Sequence, residues 1–97
     1  MEIRILEFSL RSLNEIDIIS EYIESKWSAK SRDKFLDLLN INFDLIESNP
    51  TLFPVSNYEG LYKCVVSKQT SIFYTFDDIK INIVSVFDTR QNPKKIK

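Results

Sequence analysis

The chain has 97 residues, 43% hydrophobic and 28% charged, the proportions of one globular domain rather than of a disordered segment. It carries no histidine, one glycine and one cysteine, which excludes His-based catalytic triads, a glycine-rich phosphate loop and an internal disulfide. Net charge is only −1, yet residues 1–60 carry a balance of −5 and residues 61–97 one of +4. Such a split points either to a localised anion-facing surface in the second part or to a charged tail that only aids solubility.

No apolar run approaches the roughly 20 residues that span a bilayer, and the start lacks the basic and apolar regions of a secretory signal. The lone Cys64 fits a reducing compartment, so a cytoplasmic protein with no membrane association is expected. Nothing in the composition calls for a metal or another cofactor.

In chain order, Glu2–Phe8 reads as a short strand from its partial alternation. Ser9 and Ser12 offer oxygens to open a helix, and Ser12-Leu13-Asn14-Glu15 has the form of a capping box. A first helix over about 10–26 follows, with Leu13, Ile16, Ile19 or Ser20, Ile23 and Trp27 inward and Glu15, Glu21, Glu24 and Lys26 in water. A short polar connection leads to a second helix over about 29–48, antiparallel to the first. Its buried stripe is Phe35, Leu38, Leu39, Phe43 and Ile46, widened by Ile41 and Leu45. Asn49-Pro50 ends it, because proline disfavours helical backbone in the preceding residue. The loop Thr51–Val55 must tuck its apolar residues against the core edge.

Three strands close the chain, Leu61–Val66, Ser71–Phe76 and Lys80–Phe87, divided by Lys68-Gln69-Thr70 and Asp77-Asp78. A strict period of two puts Ile81, Ile83, Ser85 and Phe87 on one face of the last strand and Val84 and Val86 on the other. The predicted fold is a single α+β domain over residues 1–97, ordered β-α-α-β-β-β, with an antiparallel sheet and a helical hairpin on one face.

The candidate chemistry is cationic. Lys63 points away from the face that Cys64 and Val66 cover, and Arg90 follows directly on the last strand, from where it can approach Lys63 across the sheet. With Lys68 they form a set able to hold phosphate, or else three ordinary solvated charges. Asp88 and Glu59 are conceivable general bases, although nothing in their spacing unites them, and Asp88 suits a turn or ion pair. Cys64 has no histidine to activate it and reads as a buried structural thiol. Tyr58, Tyr62, Tyr74 and Trp27 suit core or partner-groove packing better than base stacking.

The order of these elements resembles the RelE/ParE superfamily of toxins from type II toxin–antitoxin (plasmid stabilisation) modules. The residues that carry the likeness are Phe8-Ser9, Ile19 through Tyr22-Ile23, Asn49-Pro50, Phe53-Pro54, Leu61-Tyr62-Lys63, Ile72-Phe73-Tyr74 and Val86 through Pro93. The resemblance implies a small cytoplasmic toxin silenced by a cognate antitoxin. RelE-like members cut messenger RNA on the ribosome without a metal; ParE-like members inhibit DNA gyrase. From the RelE pattern, Lys63 and Arg90 carry over as catalytic residues, with Lys68 more loosely. A second lysine of that pattern is Val65 here, an arginine is Ser71, and no tyrosine follows Arg90.

Cleavage through the RNA's own 2′-hydroxyl needs a proton acceptor, a proton donor and charge stabilisation, and the sequence offers only the last. A sequence pI near 5.4 also suits a ribosome-binding nuclease poorly. The expected function is therefore ParE-like inhibition of gyrase or a similar protein target, with Arg90, Lys94 and Lys95 at the target contact. The rivals are a RelE-like mRNA endonuclease, the only enzymatic reading, and a degenerate non-toxic binding module. A domain this small buries only about 60–65% of its unfolded surface, so Trp27, Ile41 and Leu45 are expected to form an apolar groove for the antitoxin.

Overall fold

The computed structural model describes residues 4–90. Strand β1 (Ile5–Phe8) leads into helices α1 (Leu10–Lys26) and α2 (Ala29–Ser48), followed by a 3-10 turn at Pro50–Leu52. Strands β2 (Tyr62–Val65), β3 (Thr70–Phe76) and β4 (Lys80–Asp88) complete the chain. The α+β order and both helix spans match the sequence expectation. Glu2 and Ile3, predicted to begin the first strand, lie outside the described residues.

The sheet runs β1-β4-β3-β2, so β3 stands between β2 and β4. β2, β3 and β4 are antiparallel, but β1 lies parallel to β4, which makes the sheet mixed rather than wholly antiparallel. The helical hairpin imposes this. Two helices return the chain to the side from which it left, so β1 and β4 run the same way.

Each helix is opened by a serine. The Ser12 amide donates to Ser9 Oγ at 2.9 Å, and the Ser12 hydroxyl returns a bond to the Ser9 carbonyl at 2.8 Å. Ser28 Oγ accepts from the Ser31 amide at 3.0 Å in the same way. These oxygens satisfy amides that have no intrahelical acceptor. The predicted capping box one turn later does not form, because Ser9 has already capped the helix and Glu15 is engaged elsewhere.

Ile19 and Ile23 of α1 and Phe35, Leu39, Phe43 and Ile46 of α2 pack on Cys64, Ile72, Tyr74, Ile81, Ile83 and Val86 of the sheet. Burying each such side chain contributes about 1.5–3 kcal/mol. Within this core the Asn42 amide donates to the Leu38 carbonyl at 2.9 Å and accepts from the Cys64 thiol at 3.4 Å. The Tyr74 hydroxyl reaches the Pro50 carbonyl at 2.6 Å and anchors the turn after α2. Leu13, Leu38, Leu52 and Val55, expected inward or at the core edge, are exposed.

The face assignment predicted for β4 holds only as far as Ile83. Tyr74 pairs with Ile83 but Phe73 pairs with Ser85, so Val84 is an extra residue, a β-bulge. Beyond it the alternation inverts: Val86 and Asp88 turn to the helices, while Ser85 and Phe87 turn to the open face, opposite to the expectation from a strict period of two.

The same stretch of β4 has outrun β1, and α1 takes over its exposed edge. The Ser9 amide donates to the Ile83 carbonyl and the Ser9 hydroxyl to the Val84 carbonyl, both at 2.9 Å. Glu15 Oε1 accepts from the Val86 amide at 2.9 Å and the Ser85 hydroxyl at 2.8 Å, and its other oxygen pairs with Arg11 at 3.1 Å. Glu15, expected to face water, thus stands in for a missing strand. Glu15→Ala leaves the Val86 amide without its acceptor and should cost about 1–3 kcal/mol. The check is a lower urea midpoint with an unchanged slope; an unaltered midpoint would remove this role.

Candidate functional site

Lys63, Phe73 and Ser85 form one row across the open face, paired strand to strand, with Ser71 and Phe87 beside them. They floor a cavity of about 340 Å³ whose walls are Arg11, Tyr58, Lys68, Gln69 and Thr89. Lys63 Nζ lies 5.9 Å from the centre of the Phe73 ring, and Tyr58 meets that ring edge-on at 5.2 Å. Tyr58 is presented by a tight turn in which Glu59 and Gly60 both take positive φ, 53° and 71°. Glycine adopts that backbone freely, whereas Glu59 bears some strain. Arg11 reaches the cavity from the first turn of α1. The Tyr58 hydroxyl and the Glu15 carboxylate both favour its charged form and hold its pKa above the ordinary guanidinium value.

Lys63 and Lys68 therefore line one cavity. Arg90 is not with them. The inverted alternation beyond Val84 carries it to the helix side, where both edges of its guanidinium bond Asp88, Nε at 3.1 Å and Nη2 at 2.8 Å. The Arg90 amide also donates to Asp88, at 2.9 Å, as does the Thr70 hydroxyl, at 2.6 Å. Above, the guanidinium carbon stands 5.9 Å from the Trp27 ring, which Tyr22 meets edge-on at 6.1 Å.

Arg90 borders a second hollow, about 420 Å³, between Ser67, Gln69 and Thr70 and the Ser31, Lys34, Phe35, Leu38 and Ile41 side of α2. Apolar residues lie bare near it: Trp27 is 54% exposed, Ile41 56% and Leu45 42%. The monomer thus leaves uncovered the three residues predicted for the antitoxin groove. Lys94 and Lys95, predicted at the target contact, lie outside the described residues.

The remaining candidates are structural. Burial pushes the Cys64 thiol up to about 11, so it is not a nucleophile near neutral pH. Glu59 occupies its exposed turn, far in role from Asp88 in its buried clasp. Among the described residues no three His, Cys, Asp or Glu side chains cluster as metal ligands. Arg11, Tyr58, Phe73 and Phe87 were missed as cavity residues by sequence reasoning. The spacing of Arg11 and Glu15, four apart on one helix face, was the available signal for the first.

Burial alone would raise the Asp88 pKa, but the hydrogen bonds from Arg90 and Thr70 outweigh it and hold the carboxyl below its ordinary value. A depressed folded-state pKa stabilises the fold fully above the unfolded value of about 4, and that contribution is lost as pH falls through the folded value. Asp88→Asn should cost about 3 kcal/mol at pH 7, since it leaves Arg90 without its countercharge. It should also flatten the acid limb of a stability–pH curve below about pH 4. An acid limb identical in both proteins would exclude Asp88 as its source.

Comparison with known proteins bears on both surfaces. Residues 6–93 match the model of the ParE toxin of the type II toxin–antitoxin system, parDE. No curated protein sequence matches the chain. Among solved structures, the chain is similar to one from the chromosomal ParDE system of P. aeruginosa, with a TM-score of 0.78 at 10% identity over 89% of this chain and 96% of that one. The YoeB dimer from Staphylococcus aureus gives 0.60 at 21% identity, covering 87% and 94%. YafQ in the E. coli DinJ–YafQ toxin–antitoxin complex gives 0.59 at 13%, covering 90% and 93%. At these identities the structural likeness establishes the fold alone. The match along residues 6–93 establishes the family: the chain belongs to the ParE toxins of type II toxin–antitoxin systems.

Proposed function

We propose that this toxin acts by binding a protein target, DNA gyrase, and that its antitoxin silences it by covering the apolar face of α2. The observation that carries the first part is the clasp on Arg90. RNA cleavage at the open face would want Arg90 beside Lys63, and instead Asp88 holds it on the helix side. Among the described residues, the open cavity is also lined by no carboxylate or imidazole. The Glu15 carboxylate beside it is already engaged by Ser85, Val86 and Arg11.

One observation favours the endonuclease reading: Lys63 and Lys68 do share a cavity, and Arg11 adds a third cation there. Two assays on the purified chain separate the readings. Gyrase supercoiling should be inhibited while ribosome-bound transcripts stay intact. Cut transcripts with normal supercoiling would overturn the gyrase proposal, and a chain inactive in both would favour the non-toxic binding module.

For the antitoxin, the support is uncovered apolar area. Leu38, Ile41 and Leu45 recur at helical spacing on α2 and remain in water, an arrangement suited to an amphipathic segment laid alongside. Ile41→Asp with Leu45→Asp should weaken antitoxin binding at least about thirtyfold. Because both residues are exposed, the fold should survive, which circular dichroism would verify. Unchanged affinity would place the antitoxin elsewhere.

A further inference from the structure

From the open-face cavity we infer that this toxin binds a nucleoside phosphate there, without cleaving it. The proposal is independent of the gyrase reading and concerns a surface which that reading leaves idle. Lys63, Lys68 and Arg11 approach from three different elements, β2, the β2–β3 turn and α1. Between them lie Ser71 and Ser85, the latter donating its hydroxyl to Glu15 behind the wall, and among the described residues no acidic side chain lines the space itself. Cations on separate rigid elements, with hydroxyls between them, form a cradle for a phosphate group. Arg11 is aimed across the cavity by its helix-surface pairing with Glu15 at 3.1 Å, which fixes its direction and partly neutralises it, so Lys63 and Lys68 supply the free positive charge.

Beside that cradle the floor changes character. Phe73 is nearly buried and already has Lys63 and Tyr58 against its ring, whereas Phe87, diagonal to it on β4, is only partly covered. An aromatic face within reach of a phosphate site suits a nucleobase, whose stacking on an aromatic ring contributes about 1–3 kcal/mol per base. Size agrees: about 340 Å³ lies at the lower end of small-ligand sites and accommodates one nucleotide, not a folded strand. The bulge at Val84 is what makes the site, since without it Ser85 and Phe87 would point into the core.

The test uses the purified full chain, without gyrase or ribosomes, so that its outcome is separable from that of the target assays. Titration calorimetry with 5′-AMP, adenosine and inorganic phosphate should show AMP binding at least about tenfold more tightly than either fragment. Lys63→Ala should weaken AMP about tenfold and flatten its salt dependence, whereas Phe87→Ala should reduce AMP affinity toward that of phosphate. Circular dichroism of each variant separates lost binding from lost fold. Equal affinity for phosphate and AMP would reduce the cavity to a general anion site and overturn the proposal. So would AMP affinity indifferent to both substitutions, or no heat of binding at millimolar AMP.

Discussion

A single surplus residue, Val84, governs the geometry of this toxin. By adding one position to β4 opposite the Phe73–Tyr74 step, it reverses which side chains of the strand's last third face the helices. Two consequences follow together. Ser85 and Phe87 come to the open face, and Asp88 with Arg90 goes beneath the helical hairpin. Among the described residues the bulged strand has no strand neighbour beyond Ile83 on its β1 side, and α1 supplies acceptors and donors there with Ser9 and Glu15. A local irregularity in the sheet is thereby tied to the helix packed beside it.

The sheet consequently separates two surfaces of different chemistry. One face gathers cations around hydroxyls and aromatic rings. The other offers apolar helix surface with one neutralised, stacked arginine. Arg90, held by Asp88 and covered by Trp27, contributes shape and directed N–H groups more than free charge. A protein partner reads such a surface well, because tryptophan and arginine lose little freedom when they are already fixed.

Much of this was legible from the residues. The helix spans followed from 3.6-residue periodicity with a serine at each start and Asn49-Pro50 at the end, and the three later strands from β-branched and aromatic runs. What failed had physical causes. A period-two count continues past Val84 as if nothing had happened, since no glycine or proline marks the bulge, and so it sent Arg90 to the side of Lys63. The parallel placement of β1 is a matter of connectivity, invisible in a seven-residue window. Glu15 looks like any solvated helix glutamate until the unpaired edge of β4 is known. Exposure of Ile41 and Leu45, by contrast, was readable, because α2 carries more apolar residues than one face of a two-layer domain can cover.

The parallel pairing of Ile5–Phe8 with Lys80–Ile83 joins the earliest strand to the latest. During synthesis β1 has no strand to pair with, among the described residues, until β4 has emerged. The open-face cavity, floored in part by Ser85 and Phe87, cannot exist before β4 is in place. The opening strand and the helix contacts of Ser9 and Glu15 therefore close onto β4 as one late, long-range step of folding.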